Sequence, residues 1–209
     1  MKLSWATRIT ILRILLIIPF VSCMIHINDP DLIPTRQAWI RYLAIAIYLA
    51  MAVSDGLDGY LARTQKQITR LGTFLDPVAD KLLITSACLL LASSQTQVQG
   101  FLIPATVVVL IIAKDLLLML GFVIVYLVTN QVWIQPVFVG KASTALQLGM
   151  VAAILIAPEM SLLIHGWIWV LRVLWWAAAA GAVLATLVYI RNGSRYIEDY
   201  ETTHARSAS

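Results

Sequence analysis

The chain has 209 residues, of which 60% are hydrophobic and 12% are charged. Soluble domains carry about a quarter charged residues, so this composition excludes an ordinary soluble protein and indicates an integral membrane protein with the lipid bilayer as a partner. The formal net charge of +4 suits an anionic membrane surface, and we expect no nucleic-acid partner.

The apolar segments predict an all-α polytopic membrane protein with six transmembrane helices and a short N-terminal interfacial helix, because a span needs about 20 apolar residues. Residues 1–8 combine Lys2, Trp5 and Arg8, a mixture typical of segments that lie along the headgroups. The six spans are predicted at Ile9–Ile27, Trp39–Ser54, Leu71–Ala92, Phe101–Val128, Val137–Ala157 and Leu162–Ile190. Residues 1–190 then form one membrane domain, and residues 191–209 form a polar, mobile tail.

An even number of spans places both termini and the polar segment Asp55–Arg70 on the same side of the membrane. That side carries most of the basic residues, namely Lys2, Arg8, Arg63, Lys66, Arg70, Lys141, Arg191, Arg195 and Arg206. Basic residues accumulate in cytoplasmic loops. The sequence therefore predicts a bacterial inner-membrane protein whose termini and Asp55–Arg70 segment face the cytoplasm.

Four aspartates stand where the second predicted span ends and the third begins. Asp55 and Asp58 are three residues apart, and Asp76 and Asp80 are four apart, so each pair lies on one face if its segment is helical. Four neighbouring carboxylates repel each other unless cations lie among them. Carboxylate oxygens suit hard divalent ions, so we predict that this cluster binds Mg²⁺ or Mn²⁺, with two ions as the expected number.

Small and basic residues surround the aspartates. Gly59, Gly72 and Ala62 have little or no side chain, which leaves room for a flat or bulky group. The basic residues of the stretch are Arg63, Lys66, Arg70 and Lys81. Because arginine and lysine bind phosphate oxygens, this set predicts an anionic substrate such as a diphosphate diester.

The stretch from Asp55 to Asp80 resembles the signature D-x2-D-G-x2-A-R-x8-G-x3-D-x3-D of the CDP-alcohol phosphotransferases, membrane enzymes that make phospholipid headgroups. All the fixed positions are filled at the right spacing, by Asp55, Asp58, Gly59, Ala62, Arg63, Gly72, Asp76 and Asp80. Two further segments look similar to motifs of the glycerophospholipid members, Thr10-x2-Arg13 before Pro19 and the segment Gly140–Gln147. The resemblance therefore covers nearly the whole chain.

The resemblance implies a metal-dependent transferase that moves a phosphatidyl group from CDP-diacylglycerol to an alcohol and releases CMP. In such an enzyme two metals bridge the diphosphate and stabilise the leaving group. The metal ligands implied are Asp55, Asp58, Asp76 and Asp80, and Asp80 is also the implied catalytic base. The residues implied in binding the donor are Thr10, Gly59, Ala62, Arg63 and Gly72. The resemblance also suggests a homodimer.

The apolar spans contain charged residues, among them Arg13, Lys114, Asp115 and Arg172, and each such charge is costly unless it is paired or faces water. Lys114 and Asp115 form either a neutralised structural pair or a pair in which Lys114 binds phosphate, and we favour the second interpretation. Arg13 either extends to the cytoplasmic interface or lines the substrate cleft. Arg172 matches no motif and is expected to be structural. The residues expected to bind phosphate or acceptor are Arg13, Arg70, Lys114 and Lys141.

The basic residues of the fourth span favour one acceptor over another. Glycerol 3-phosphate is a dianion that needs several basic groups, whereas this span offers only Lys114, followed by Asp115. Phosphatidylglycerol phosphate synthases of the family usually look richer in arginine there, and three segments, 54–59, 113–116 and 141–147, look similar to the CMP-forming cardiolipin synthases. We therefore expect phosphatidylglycerol as the acceptor and cardiolipin as the product. The alternative acceptor is glycerol 3-phosphate, which gives phosphatidylglycerol phosphate.

Two other functions fit parts of the pattern. Membrane prenyltransferases also grip a diphosphate with aspartates and Mg²⁺, and Asp76-x3-Asp80 alone would suit one. A divalent-cation transporter would bind its ion with carboxylates near the bilayer midplane, whereas these aspartates flank a basic cytoplasmic segment. Metal-dependent release of CMP distinguishes the three functions.

Overall fold

The computed structural model describes residues 5–65, 70–129 and 138–207, with side chains for residues 8–54, 78–121, 123, 124, 127 and 138–195. Within these residues the chain is all helical and contains no β-strand, as the sequence predicts. The helices of this part of the chain are α1 (Trp5–Ile25), α2 (Pro34–Gln65), α3 (Arg70–Ala92), α4 (Ala105–Thr129), α5 (Phe138–Leu155), α6 (Ala157–Leu163) and α7 (Trp167–Ser207).

Three long helices extend further than their predicted spans. Trp5–Arg8 form the first turn of α1 and not a separate interfacial helix, because no glycine or proline interrupts the chain before Ile9. α2 continues from Ser54 to Gln65, through a segment that was expected to be a polar loop. α7 continues to Ser207, so the expected tail is helical in backbone as far as that residue. Polar side chains stop an apolar span but not a helix, since many of them are good helix formers.

The short helix α6 was not among the predicted elements, because seven residues are too few to display a helical period. It follows α5 after the single residue Ile156 and begins with Pro158 in its first turn. Gly166 has a φ of +88°, a left-handed conformation that favours glycine, and it turns the chain from α6 into α7.

Four helices are long and apolar enough to cross a membrane, counted over residues with described side chains: Arg8–Ile25, Pro34–Ser54, Phe138–Leu155 and Trp167–Arg195. Many of their large apolar side chains are exposed on the protein surface, as expected where helices face lipid. The remaining two predicted spans lie in α3 and α4, which include residues outside the described side chains. The count of six spans, the orientation and the domain boundary at residue 190 therefore stay predictions.

The chain forms two compact units, of which the first comprises Met1–Pro104 and Leu148–Arg172 and the second comprises Ala105–Gln147 and Val173–Ser209. In the first unit α1 packs against both α2 and α3. The buried residues of α1 and the turn after it recur every three, four or seven positions: Thr10, Arg13, Phe20, Met24 and Ile27. This spacing gives α1 one inward face.

Two loops of the first unit are joined by one side chain. Nδ2 of Asn28, just after α1, donates hydrogen bonds to the carbonyl oxygens of Gln95 (3.1 Å) and Gln97 (2.8 Å), just after α3. Gln37, at the start of α2, donates through Nε2 to the Asp29 carbonyl oxygen at 2.8 Å. These bonds hold one end of α1, α2 and α3 together.

Two side chains of α2 donate to backbone carbonyls of α5. The hydroxyl of Tyr48 donates to the carbonyl oxygen of Leu148 at 2.9 Å, and Nη1 of Arg41 donates to that of Leu155 at 3.1 Å. Arg41 also donates to both carboxylate oxygens of Glu159 on α6, with Nη1 at 2.7 Å from Oε2. The two donors on α2 are seven residues apart, and so are the two acceptors on α5, but in the reverse order along the chain. The two helices therefore lie antiparallel in a fixed register.

In the second unit the inward face of α7 is made of small residues. Ala178, Ala182 and Ala185 are buried, and a Cβ built on Gly181 would lie 3.6 Å from the Ser143 hydroxyl. Small side chains let transmembrane helices approach closely without a hydrophobic driving force. The same unit holds buried polar residues on α4 and α5, which are described below with the candidate site.

We predict that the Arg41–Glu159 ion pair makes stability depend on acid pH. The Arg41 guanidinium lowers the pKa of Glu159 from its ordinary value of 4.5 to about 2. A carboxylate with a depressed folded-state pKa contributes stability above about pH 4.5, and this contribution is lost as the pH falls toward 2. Glu159→Gln should therefore lower Tm at pH 7 by about 2–4 °C, with a smaller difference from wild type at pH 3, where part of the contribution is lost.

Thermal unfolding in detergent at both pH values measures this effect. Asp31→Asn is the matched control, since Asp31 is exposed. An equal Tm difference between Glu159→Gln and wild type at pH 7 and pH 3 would show that the ion pair does not contribute.

Candidate functional site

The residues of the signature fall on two helices of the first unit. α2 carries Asp55, Asp58, Gly59, Ala62 and Arg63, and α3 carries Gly72, Asp76 and Asp80. Both segments are helical, so the spacing of three and four residues puts each aspartate pair on one side of its helix. Asp80 is partly buried, whereas the side chains of residues 55–77 lie outside the described residues. The four-carboxylate cluster therefore stays a prediction.

A contact between α1 and α2 gives the depth of Asp55 in the first unit. The rings of Phe20 and Tyr48 pack with their centroids 5.9 Å apart, and the short connection makes the two helices antiparallel. Arg13 lies seven residues before Phe20, and Asp55 lies seven residues after Tyr48. Because every helix rises equally per residue, positions 13 and 55 come at about the same depth.

A contact between the ends of α1 and α3 gives the depth of Asp80. Asn28 and its acceptor Gln95 each lie three residues beyond the end of their helix, so α1 and α3 run parallel and end at the same level. Arg13 and Asp80 each lie twelve residues before those ends. Positions 13, 55 and 80 therefore belong to one layer of the first unit, which we call the signature layer.

Arg13 and Thr10 point into the protein. Thr10 is fully buried and Arg13 is 1% exposed, although a free arginine in a lipid-facing position would extend to water. This burial contradicts the interpretation in which Arg13 reaches the membrane interface. Each of the two residues has an interaction partner in the structure. An arginine inside the signature layer is suited to bind a phosphate, because its planar fork of N–H groups matches phosphate oxygens.

A buried polar cluster in the second unit contains Lys114. Its Nζ lies 3.1 Å from Oδ1 of the adjacent Asp115 and donates to Oε1 of Gln147 at 3.1 Å. Nε2 of Gln147 in turn donates to the Ser143 hydroxyl at 3.4 Å. All four residues are buried. Asp115 thus neutralises Lys114, as the interpretation of a structural pair expects, and phosphate binding by Lys114 stays a prediction.

Lys141 lies in the first turn of α5 and is exposed. A Cβ added to its neighbour Gly140 would come 2.7 Å from the Tyr189 hydroxyl oxygen on α7, so this glycine permits close approach of the two helices. Arg70 is the first residue of α3, and its side chain lies outside the described residues. The acceptor-binding roles of Arg70 and Lys141 therefore stay predictions.

The donor set of the signature fits divalent metal ions. Its four carboxylates supply only hard oxygen ligands, which suit Mg²⁺ and Mn²⁺, and their charge would be balanced by two such ions. Among the residues with described side chains there is no group of three potential metal ligands, and three of the four aspartates lie outside that part of the chain. The ligands of a metal pair would be Asp55, Asp58, Asp76 and Asp80.

Sequence reasoning assigned no role to several polar residues that the structure places at key contacts. In the sequence, Tyr48 is an aromatic residue of an apolar span with no distinguishing feature. In the structure its hydroxyl donates the hydrogen bond that joins α2 to α5. Gln147 ends the segment Gly140–Gln147, for which the sequence predicts no role of this residue. In the structure it is fully buried and bridges Lys114 and Ser143. A glutamine inside an apolar span is the signal that marks such a residue, because its amide must find partners away from water.

Nearly the whole chain matches one known protein family. The family described as CDP-alcohol phosphatidyltransferase matches residues 3–190, a range that includes the signature, Thr10, Arg13 and the segment Gly140–Gln147.

The chain is also similar to bacterial enzymes named CDP-diacylglycerol–glycerol-3-phosphate 3-phosphatidyltransferase. The protein from Yersinia enterocolitica is 29% identical over 159 residues, which is 76% of this chain and 80% of the relative. The protein from Yersinia pestis is 30% identical over the same shares. The protein from Escherichia coli K12 is 38% identical over 90 residues, 43% of this chain and 44% of the relative.

We predict that Arg13 contributes to binding of a phosphate-bearing substrate. Arg13→Gln should raise the KM for CDP-diacylglycerol by about tenfold, because a charge-assisted contact is lost, while the protein still inserts and folds. Initial rates at varied donor concentration in mixed micelles measure this change.

Arg8→Gln, an exposed position on the same helix, is the matched control and should change KM less than about twofold. A KM for Arg13→Gln equal to that of the control would place the donor phosphates away from Arg13.

Proposed function

Because the chain belongs to the CDP-alcohol phosphatidyltransferase family, we propose that it transfers the phosphatidyl group of CDP-diacylglycerol to glycerol 3-phosphate and releases CMP. The observation that carries this proposal is the complete signature on the helical backbone of α2 and α3, within a family match of residues 3–190. The named relatives, two of which are aligned over 80% of their length, support glycerol 3-phosphate as the acceptor.

This acceptor replaces the expectation of phosphatidylglycerol, to which the named relatives give no specific support. That expectation counted only the basic residues of the fourth span. Two other candidate phosphate-binding residues, Arg13 and Arg70, lie on α1 and α3 of the first unit, where they supply two positive charges. A dianion can therefore be met by residues from several helices, and a single lysine on α4 does not argue against it.

The proposed reaction is a displacement at the phosphorus atom that carries the diacylglycerol. The acceptor hydroxyl oxygen forms the new bond to this phosphorus, the bond from phosphorus to the CMP oxygen breaks, and CMP leaves with the electron pair. Asp80 takes the proton of the attacking hydroxyl as general base. Bound divalent metals supply charge stabilisation for the diphosphate and the leaving group.

The other residues of the signature bind and orient the donor in this proposal. Gly59, Ala62 and Gly72 leave room for the cytidine and ribose, since they carry little or no side chain. Arg63 and Arg13 pair with phosphate oxygens, and the burial of Arg13 supports this role by keeping its charge out of bulk water. Asp55, Asp58 and Asp76 hold the metals. Catalysis then depends chiefly on positioning and charge stabilisation.

We predict the acceptor from this proposal. Purified enzyme with CDP-diacylglycerol and Mg²⁺ or Mn²⁺ should incorporate labelled glycerol 3-phosphate into a lipid, with one CMP released per lipid formed. When phosphatidylglycerol replaces glycerol 3-phosphate as the only acceptor, the same mixture should give no four-chain lipid above background. Thin-layer separation of the lipids and chromatographic measurement of CMP follow both products.

Formation of the four-chain lipid from phosphatidylglycerol, without incorporation of glycerol 3-phosphate, would restore the cardiolipin synthase interpretation. Metal-dependent binding of the donor, with no CMP released from it in the presence of any acceptor, would contradict the transferase assignment itself.

A further inference from the structure

Arg172 is an exposed charge inside a membrane-spanning helix. It lies on α7 within the apolar span Trp167–Arg195, and the sequence assigns it to no motif. An exposed charge in such a span is costly unless a polar partner meets it. The neighbours of Arg172 in the first unit therefore decide what it can bind.

The guanidinium group of Arg172 stacks over the Trp169 ring, with 4.7 Å between its central carbon and the ring centroid. Among the residues with described side chains, Arg172 forms no ion pair with a carboxylate. Glu159, the acid of the neighbouring helix α6, is already bound by Arg41. The stacked ring restricts the guanidinium without neutralising it, because stacking uses the face of the group and leaves its in-plane N–H donors free.

The length of the span places Arg172 near the boundary of the hydrocarbon layer. The span has 29 residues, or roughly 43 Å of helix, against a hydrocarbon thickness of about 30 Å. If the difference between these two lengths is divided equally between the two ends, about 6 Å of helix extends beyond the hydrocarbon at each end. Arg172 is five residues from the start of α7, about 7.5 Å along its axis, which is where lipid phosphates can be reached by a long side chain.

Exposed apolar side chains occur on α6 and in the first turn of α7, the two helices that flank the turn before Arg172. Leu162 is 83% exposed, Leu163 is 73% exposed and Trp169 is 65% exposed. His165, in the turn between α6 and α7, is also exposed and carries ring N–H donor capacity. A lipid at a membrane interface is bound by apolar side chains that contact its acyl chains and by an aromatic ring and a cation at the level of its headgroup.

We propose that Arg172 and Trp169 form a binding site for the phosphate of an anionic phospholipid in the leaflet at the α6–α7 end. The guanidinium donates two hydrogen bonds to the phosphate oxygens, the Trp169 ring holds the guanidinium plane, and the exposed leucines contact the acyl chains. The site lies at the end of the first unit where Arg41 binds Glu159. Asp55 is fourteen residues further along α2 from Arg41, about 21 Å away, so this lipid is not the donor of the transfer reaction.

Native mass spectrometry of the full-length protein in detergent, titrated with phosphatidylserine, tests the site. This lipid is neither donor, acceptor nor product of the proposed reaction, so its binding is independent of the transferase function. Arg172→Gln should weaken binding of the first phosphatidylserine about tenfold, because the charge-assisted bonds are lost. Arg172→Lys should weaken it less, since the charge stays while the planar fork is lost. Trp169→Leu should also weaken it, because the ring no longer orients the guanidinium.

Arg36→Gln is the matched control for net charge. Arg36 is an exposed arginine at the start of α2 that stacks on no ring among the residues with described side chains, and its removal should leave the first binding step unchanged. An equal loss in Arg36→Gln and Arg172→Gln would show only diffuse attraction between charges and would overturn the site. Unchanged binding in both Arg172 variants would overturn it as well. Displacement of the lipid by millimolar inorganic phosphate would show that a free anion, not a phospholipid, is the ligand.

Discussion

The register of α2 is the constraint on which the candidate site depends. Inside a bilayer no water competes for backbone carbonyl groups, so a side chain that donates to such a carbonyl fixes one helix against another. Tyr48 and Arg41 each make such a bond, seven residues apart, to carbonyls of α5 that are also seven residues apart. The ring contact of Tyr48 with Phe20 adds α1 to the same arrangement. If α2 slipped by one residue, positions 55 and 58 would turn by about 100° around the helix axis and would leave the side of α2 on which they now lie.

The described part of the chain meets its membrane-embedded charges in three ways. Arg13 is enclosed by protein in the signature layer, whereas Lys114 is neutralised by the adjacent Asp115 and held by Gln147. Arg172 is exposed and stacked on a tryptophan. Each arrangement follows from the same free-energy requirement, since a charge without a partner is unfavourable in hydrocarbon. The three arrangements differ in what surrounds the charge: the protein interior, a neighbouring carboxylate or an aromatic ring.

Sequence alone predicted the helical class, the positions of the apolar spans and the signature, because span length and fixed spacing are local properties. The extension of α2 to Gln65 was missed, since the apolar stretch ends at Ser54 while the helix continues through polar residues. The burial of Arg13 and the bridging role of Gln147 were also beyond prediction, because both depend on contacts between helices distant in the chain. The expectation of phosphatidylglycerol as the acceptor relied on charges counted on one helix, although a binding site can collect charges from several helices.

We propose that four aspartates on α2 and α3 hold a pair of divalent cations. Electron paramagnetic resonance of free Mn²⁺, in titrations of the purified protein with CDP-diacylglycerol present, measures the number of bound ions directly. We expect about two ions per chain for the wild type and for Asp31→Asn, and fewer than one for Asp58→Asn, because each ligand serves a metal shared within the cluster. Wild-type stoichiometry and affinity in Asp58→Asn would contradict the account.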